Sequence, residues 1–481
     1  KDLTPDEKSG EWKLKCFIEV LRHADRTPKL KFKLKTSPQT FSCLDEIEDQ
    51  EDKVKKAYEI ALGSEEKNQQ LETLSEILKY KKHLSSLKIQ RRLTNDGNAL
   101  LIVKWGGEFT HAGRHQAQEL GETTRKDLAI LNKETLDNVR IQCSVERRVQ
   151  ATADVFAKGL LKMAEIPYGL ITSNKDILDH ASTAKSSLEN VKSSLMQEIS
   201  DLSDESDIKK VLEQFQAELN EIRELMGLNY NQVSKKYYDW CCSETPMLFR
   251  ERWEKHFRDL LEAEIIDPAR ISDLYDSIKY DILHHRGYLE ELLQGGKTSS
   301  ESLIRDVFSK TQLLFAFLSP KENGLYKTEK LEIGLQISGP LLSSIINELE
   351  SCIDRKTSSK ARFYFTKESH MVALMNVLVN CNLPLARRRT SSVLFPEHLT
   401  DDPSWFGEMD YLSQICFELY EKKMSDDSMK YSLRIGMSQG AHDPHLLDLN
   451  LDRRHFLAVS PKKWIINNMN AEEMLEKLKV A

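Results

Sequence analysis

An α/β fold is predicted for this 481-residue chain by strands that run directly into loops and helices. Three stretches carry the prediction. The apolar run at residues 14–20 ends in a charged loop. The alternating run 139–144 enters a helix reaching residue 161, and the run 362–366 turns into an apolar helix reaching 378.

Composition narrows the function classes. A net charge of −7 argues against a general nucleic-acid binder, whose affinity comes from neutralising phosphates. Positive charge is concentrated locally, which suits a small anionic ligand. Eight cysteines without framework spacing, and no signal peptide, fit a reducing cytosol and a cytoplasmic location. No apolar stretch reaches membrane-spanning length. Residues 1–11 read as a polar linker, and a chain that starts there without Met reads as an excised domain.

The first strand ends in Leu21-Arg22-His23-Ala24-Asp25-Arg26-Thr27-Pro28, with Lys29, Lys31, Lys33 and Lys35 behind it. Arginine forks pair bidentately with phosphate oxygens, so the expected ligand is a phosphoryl group. Between Arg22 and Arg26 the His23 imidazole is discouraged from protonating. It therefore keeps a lone pair for nucleophilic attack on phosphorus.

Residues 41–92 are charged and helical in pattern, and predict an inserted helical hairpin. A short strand at 99–103 leads to the tight turn Gly106-Gly107, after which Thr110 and Gly113 open an amphipathic helix over 114–131. The strand 139–144 meets its helix at Arg147-Arg148, with Thr152-Ala153 a turn further on. A strand-to-helix junction exposes unpaired N–H groups and suits an anion. Residues 174–239, rich in Ser, Lys, Glu and Leu, predict a second helical insertion, and the core is expected to resume at Trp240.

The adjacent Cys241-Cys242 suit neither a two-by-two zinc site nor a redox pair. His284 and His285 are consecutive on a helix, which makes them poor joint ligands for one metal. Lys279 is a further cation available to a polyanion. The turn Lys367-Glu368-Ser369 leads to His370, which opens a helix and repeats the geometry of the His23 loop. Residues 386–392 form a basic solvated loop, 411–423 a helix, 431–437 a strand and 456–459 a closing apolar run. Residues 471–481 form a terminal helix or tail. His442-Asp443 reads as a decoy for a catalytic His-Asp pair.

The Arg22-His23-x-x-Arg26-x-Pro28 pattern resembles the signature of the histidine acid phosphatases, and Gly107, Thr110, Gly113, Gln118 and Glu119 match a second segment of that family. The longer match His23-Ala24-Asp25-Arg26-Thr27-Pro28-Lys29 is similar to the phosphatase domain of the diphosphoinositol pentakisphosphate kinases. The resemblance implies a phosphatase domain over 12–470 with a mixed sheet, helices on both faces, and a kinase domain preceding it in the full-length protein. It further implies His23 as nucleophile and Arg22, Arg26, Arg148 and His370 as the phosphate clamp, with Arg147 as the alternative arginine. Lys29, Lys31 and Lys33 are expected to hold ring phosphates. No metal or cofactor is expected in the chemistry.

In the family an acidic aspartate follows the second histidine, whereas Met371 stands here. Expelling an alkoxide needs an acid, but a phosphate leaving group, with a second pKa of about 6, needs far less help. The expected reaction is therefore hydrolysis of the phosphoanhydride of a diphosphoinositol polyphosphate, by resemblance the 1-diphosphate, through a phosphohistidine. Glu368 is the nearest acid. Competing readings are a catalytically silent inositol-phosphate sensor and a phytase-like phosphomonoesterase.

Overall fold

The computed structural model describes residues 11–63, 69–81, 87–354, 357–381 and 408–479. In chain order its strands are β1 (Lys13–Arg22), β2 (Leu30–Thr36), β3 (Lys88–Leu93), β4 (Ala99–Trp105), β5 (Val139–Cys143), β6 (Ile171–Ser173), β7 (Lys360–Thr366), β8 (Gln414–Lys423), β9 (Met429–Ser438) and β10 (Lys463–Asn470). The main sheet has the order β10-β9-β8-β1-β7-β5-β6. Strands β1, β7, β5 and β6 are parallel, and β8, β9 and β10 complete a mixed sheet antiparallel to their neighbours.

Strand β1 explains the layering. Its side chains alternate, so Cys16, Ile18 and Val20 join the core beneath helices Lys327–Asp354, Glu368–Asn380 and Ala471–Lys479. Phe17 and Leu21 join the opposite core, beneath His111–Asn132 and Arg147–Leu161. Both faces of the strand are buried, and helices cover both faces of the sheet. The last two helices cross closely because a Cβ on Gly121 would lie 2.2 Å from the Phe156 carbonyl oxygen, and one on Gly159 2.4 Å from that of Gln118. That crossing sets where the first turn carrying Arg148 sits.

The lysine-rich segment is itself a strand. Leu30, Phe32 and Leu34 face inward while Lys31, Lys33 and Lys35 alternate outward, and β2 pairs with β4, which also pairs with β3. Helices Gln50–Gly63 and Gln69–Lys81 pack on the apolar face of this small sheet. The helical hairpin is present but belongs to a three-stranded unit. From Leu195 onward the helices pack as one body to Ser300–Leu318, past the expected boundary at 239 and the expected return of the core at Trp240.

One local expectation is corrected. Residues 414–423 form strand β8 rather than a helix, because β1 and β9 take up its backbone hydrogen bonds on both edges. With both faces buried over 414–419, Gln414 and Glu418 included, the stretch lacks the alternation that marks a strand. Beyond the apolar run 456–459 the sheet is closed by β10, paired with β9. The linker at 1–10 and the basic loop at 386–392 lie outside the described residues. Among the described residues no helix is long and apolar enough to cross a membrane.

Candidate active site

Three parallel strands end at one edge of the main sheet, with Arg22 of β1 opposite Thr366 of β7, and Phe365 of β7 opposite Cys143 of β5. The loops leaving them therefore meet, as ligand-binding loops commonly do at carboxyl ends of parallel strands. Backbone bonds fix the first loop on both sides. His23 N–H donates to the Thr366 carbonyl at 3.1 Å, Arg22 N–H to Ser413 at 3.0 Å, and Leu412 N–H to His23 at 3.3 Å. The Gly106-Gly107 turn lies behind it with both φ values near +80°, and a Cβ on Gly106 would lie 2.0 Å from the Pro28 oxygen. Only glycine fits there.

His23 is buried. Its Nδ1 lies 2.9 Å from the Ala24 carbonyl oxygen, which can only accept, so Nδ1 carries the proton and Nε2 the lone pair. Arg148 Nε donates to that Nε2 at 3.1 Å. Burial, then the charges of Arg148 and Arg22, hold the imidazole well below its ordinary pKa.

Arg22 spans from the Met409 carbonyl at 2.6 Å to Glu368 at 2.7 Å, and lies over the Tyr411 ring. Arg26 pairs with Asp276 at 2.6 Å, and the Tyr411 hydroxyl donates to the other Asp276 oxygen at 2.8 Å. Residues 22, 23, 26 and 148, expected together, are brought together.

Lys29 also reaches this edge. Desolvation beside the cleft and the nearby guanidiniums of Arg148 and Arg26 lower its ammonium, although the side chain is more than half exposed. Lys31 and Lys33 lie exposed on the outer face of the small sheet, and Lys31 is lowered by desolvation and by Lys33, Lys104, Arg92 and Arg270. A cationic face thus runs from the small sheet towards helix Pro268–His284. Arg147 is exposed on the first turn of the Arg148 helix.

Two placements differ from expectation. His370 accepts a hydrogen bond from the His180 N–H at 3.2 Å, and burial lowers it to about 4. Helix Glu368–Asn380 starts two residues earlier than the sequence suggests, and two residues turn the side chain by about 200°. Glu368 therefore faces Arg22, His370 faces the 180 segment, and Met371 enters the core. Burial raises the Glu368 carboxyl, with Arg22 opposing the shift.

Lys279, expected to face the ligand, is buried in ion pairs with Glu408 at 2.8 Å and with Asp410. His442 lies 3.2 Å from the same Asp410 carboxylate, which raises the imidazole against the cost of burial.

Sequence reasoning missed several participants. Lys367 holds Asp179 at 2.6 Å and Glu146 at 3.5 Å, and Glu146 also pairs with Arg148. Asp276, Tyr411 and Asp410 come from segments more than 240 residues away from the His23 loop in sequence, without any local motif. Asp25 accepts from Thr110 Oγ at 2.6 Å, and Thr110 also caps its helix by accepting from Gly113 N–H. Only the cap was legible.

His111, Cys241 and His284 bring ligand atoms within 4.8 Å of one another, and the Nδ1 atoms of His284 and His455 are 2.9 Å apart. Nitrogen and sulfur donors of this kind could hold a metal. His284 Nε2 lies 2.8 Å from the Asp25 carboxylate, which links the cluster to the His23 loop. Cys241 Sγ lies 3.9 Å from His111 Nδ1, far away in sequence, as well as 3.6 Å from Cys242 Sγ.

A buried neutral imidazole with its lone pair among guanidiniums can attack an anionic phosphorus. This mixed α/β architecture and its Arg-His-x-x-Arg loop are those of the histidine phosphatase class of proteins. The family profile described as Histidine phosphatase superfamily (branch 2) matches residues 13–438, and the chain belongs to that family. It is similar to the inositol hexakisphosphate and diphosphoinositol-pentakisphosphate kinase of Saccharomyces cerevisiae, 30% identical over 98% of this chain and 49% of that protein. The human inositol hexakisphosphate and diphosphoinositol-pentakisphosphate kinase 2 is 27% identical over 91% of this chain and 43% of its own length. The chain thus spans about half the length of these curated relatives.

Among solved structures, Hafnia alvei phytase in complex with myo-inositol hexakis sulphate aligns at 12% identity and TM-score 0.43, covering 98% of this chain and 97% of that one. The Bifidobacterium longum multiple inositol polyphosphate phosphatase with inositol hexasulfate aligns at 13% identity and TM-score 0.42, covering 90% and 87%.

Proposed function

We propose that this chain hydrolyses the phosphoanhydride of diphosphoinositol polyphosphates, by family resemblance the 1-diphosphate, through a phosphohistidine on His23. The observation that carries the reading is the tautomer: Nδ1–H is spent on the Ala24 carbonyl, so Nε2 has the lone pair beside Arg148. In the first step Arg148 moves its Nε–H from Nε2 to the phosphoryl oxygens, and the freed lone pair forms an Nε2–P bond as the bond from phosphorus to the bridging oxygen breaks. Arg22, Arg26 and Arg148 take up charge on the equatorial oxygens. The remaining inositol phosphate leaves with the bridging oxygen. Water then attacks phosphorus, restoring neutral His23 and releasing orthophosphate.

The leaving phosphate, with a second pKa of about 6, departs without a strong acid. Glu368, raised by burial and next to Arg22, is the group that supplies a proton when one is needed. Lys367, one residue past β7, takes the place expected of His370 as the cation from that loop. Lys29, Lys31 and Lys33 would hold the other ring phosphates, and Arg147 reinforces them from the helix. A preceding kinase domain and a cytoplasmic location belong to the same proposal. The eight free cysteines support the location.

Orthophosphate release from the 1-diphosphoinositol form and from inositol hexakisphosphate tests it. Release from the first alone is expected, with none from His23→Ala. Binding without release would replace the reading by a sensor, and equal rates on both substrates by a phosphomonoesterase.

A further inference from the structure

The Glu146 carboxylate sits where a phosphoryl oxygen is expected. It lies against Arg148, 3.5 Å from Lys367 Nζ and 3.9 Å from Lys29 Nζ, three cations supplied by three separate segments. These charges hold it below its ordinary carboxylate value despite burial. Glu146 occupies the N-cap position of helix Arg147–Leu161, yet its side chain makes no capping hydrogen bond. An acidic residue there ordinarily serves its own helix end. This one serves the cations that surround His23, since Arg148 is also the donor to Nε2.

We propose that Glu146 is a built-in competitor for the phosphate cradle, a carboxylate that must release Arg148, Lys29 and Lys367 before a phosphoryl group takes them. The geometry lets it leave. Its side chain is 30% exposed, so a rotamer change carries it into water. Lys367 keeps Asp179 at 2.6 Å, which holds that cation in place through the exchange. A multiply charged substrate, contacting further lysines, displaces the carboxylate more readily than orthophosphate does. Glu146 thereby weakens binding of the small product relative to the polyanion and speeds its release.

This inference rests on the phosphatase reading for its consequence, but its test needs no turnover. Orthophosphate binding is measured by calorimetry on the wild-type chain, Glu146→Gln, Glu146→Ser and Asp154→Asn. Serine retains good capping chemistry, so the second variant guards against a helix-end defect. Asp154 is an acid on the same helix paired with Lys158, and controls for net charge.

Both Glu146 variants are expected to bind orthophosphate at least about tenfold more tightly, with Asp154→Asn unchanged. On the diphosphoinositol substrate, KM and kcat of Glu146→Gln should fall together as product release slows. Unchanged or weaker orthophosphate binding in both variants overturns the proposal. Tighter binding in a chain that releases no phosphate would leave it standing and remove the enzymatic reading instead.

Discussion

Glu368 and Arg22 meet at 2.7 Å across the junction of β7 and β1, so this acid is held by the guanidinium that precedes His23 in sequence. The second loop therefore contributes a carboxylate rather than an imidazole. Glu368→Gln should leave turnover of a diphosphoinositol within about threefold of wild type. On a model phosphomonoester, whose alkoxide needs a proton, it should slow turnover about 100-fold or more. Comparing kcat for the two substrates checks this, and equal losses would contradict it.

Arg148 contributes a directed Nε–H to His23 and a charge to the cradle. Arg148→Ala should lower kcat about 100- to 1,000-fold, as removal of a positioned transition-state donor does. Arg148→Lys should recover little, because an ammonium cannot reproduce the planar fork. Steady-state kinetics of the two variants distinguish geometry from charge.

The fold was legible to the extent that its strands carry periodicity or end in charged loops. The Arg22–Arg26 loop, the strand-to-helix junction at Arg148 and the Gly106-Gly107 turn are local patterns, and all recur in the structure. Strand β8 was not legible because both of its faces are buried along 414–419, Gln414 and Glu418 included, so no polar-apolar alternation marks it. β2 was recognisable in principle from the alternation of Leu30, Phe32 and Leu34 with lysines. The orientation of His370 depends on where one helix begins, and a shift of two residues reverses its face. Asp276, Tyr411 and Glu146 acquire their roles only when distant elements close on the His23 loop.

Two buried imidazoles predict acid lability. His23 and His370 are both neutral in the fold with pKa values below the unfolded 6.5, His370 at about 4. Below pH 6.5 the unfolded chain binds more protons than the native one, so stability is present above that value and declines as pH falls towards 4. A shift of this size corresponds to about 3 kcal/mol for His370. Urea unfolding at several pH values should show the decline, and His370→Asn should flatten part of it between about pH 6.5 and pH 4.

Thr110 ties the His23 loop to its helix through Asp25 and Gly113. Thr110→Val keeps the shape and removes both bonds, which should cost about 2 kcal/mol of stability. Thr110→Ser should restore most of it. Chemical denaturation with both variants tests whether this anchor holds the loop.

Covalent trapping is the most direct test of His23 as the nucleophile. Rapid acid-free quenching of the chain with a diphosphoinositol labelled in its terminal phosphate, followed by peptide mapping, should place an alkali-stable, acid-labile phosphate on the peptide containing His23. The label and turnover should both vanish in His23→Ala. Full turnover in that variant, or label on any other residue, would contradict the account.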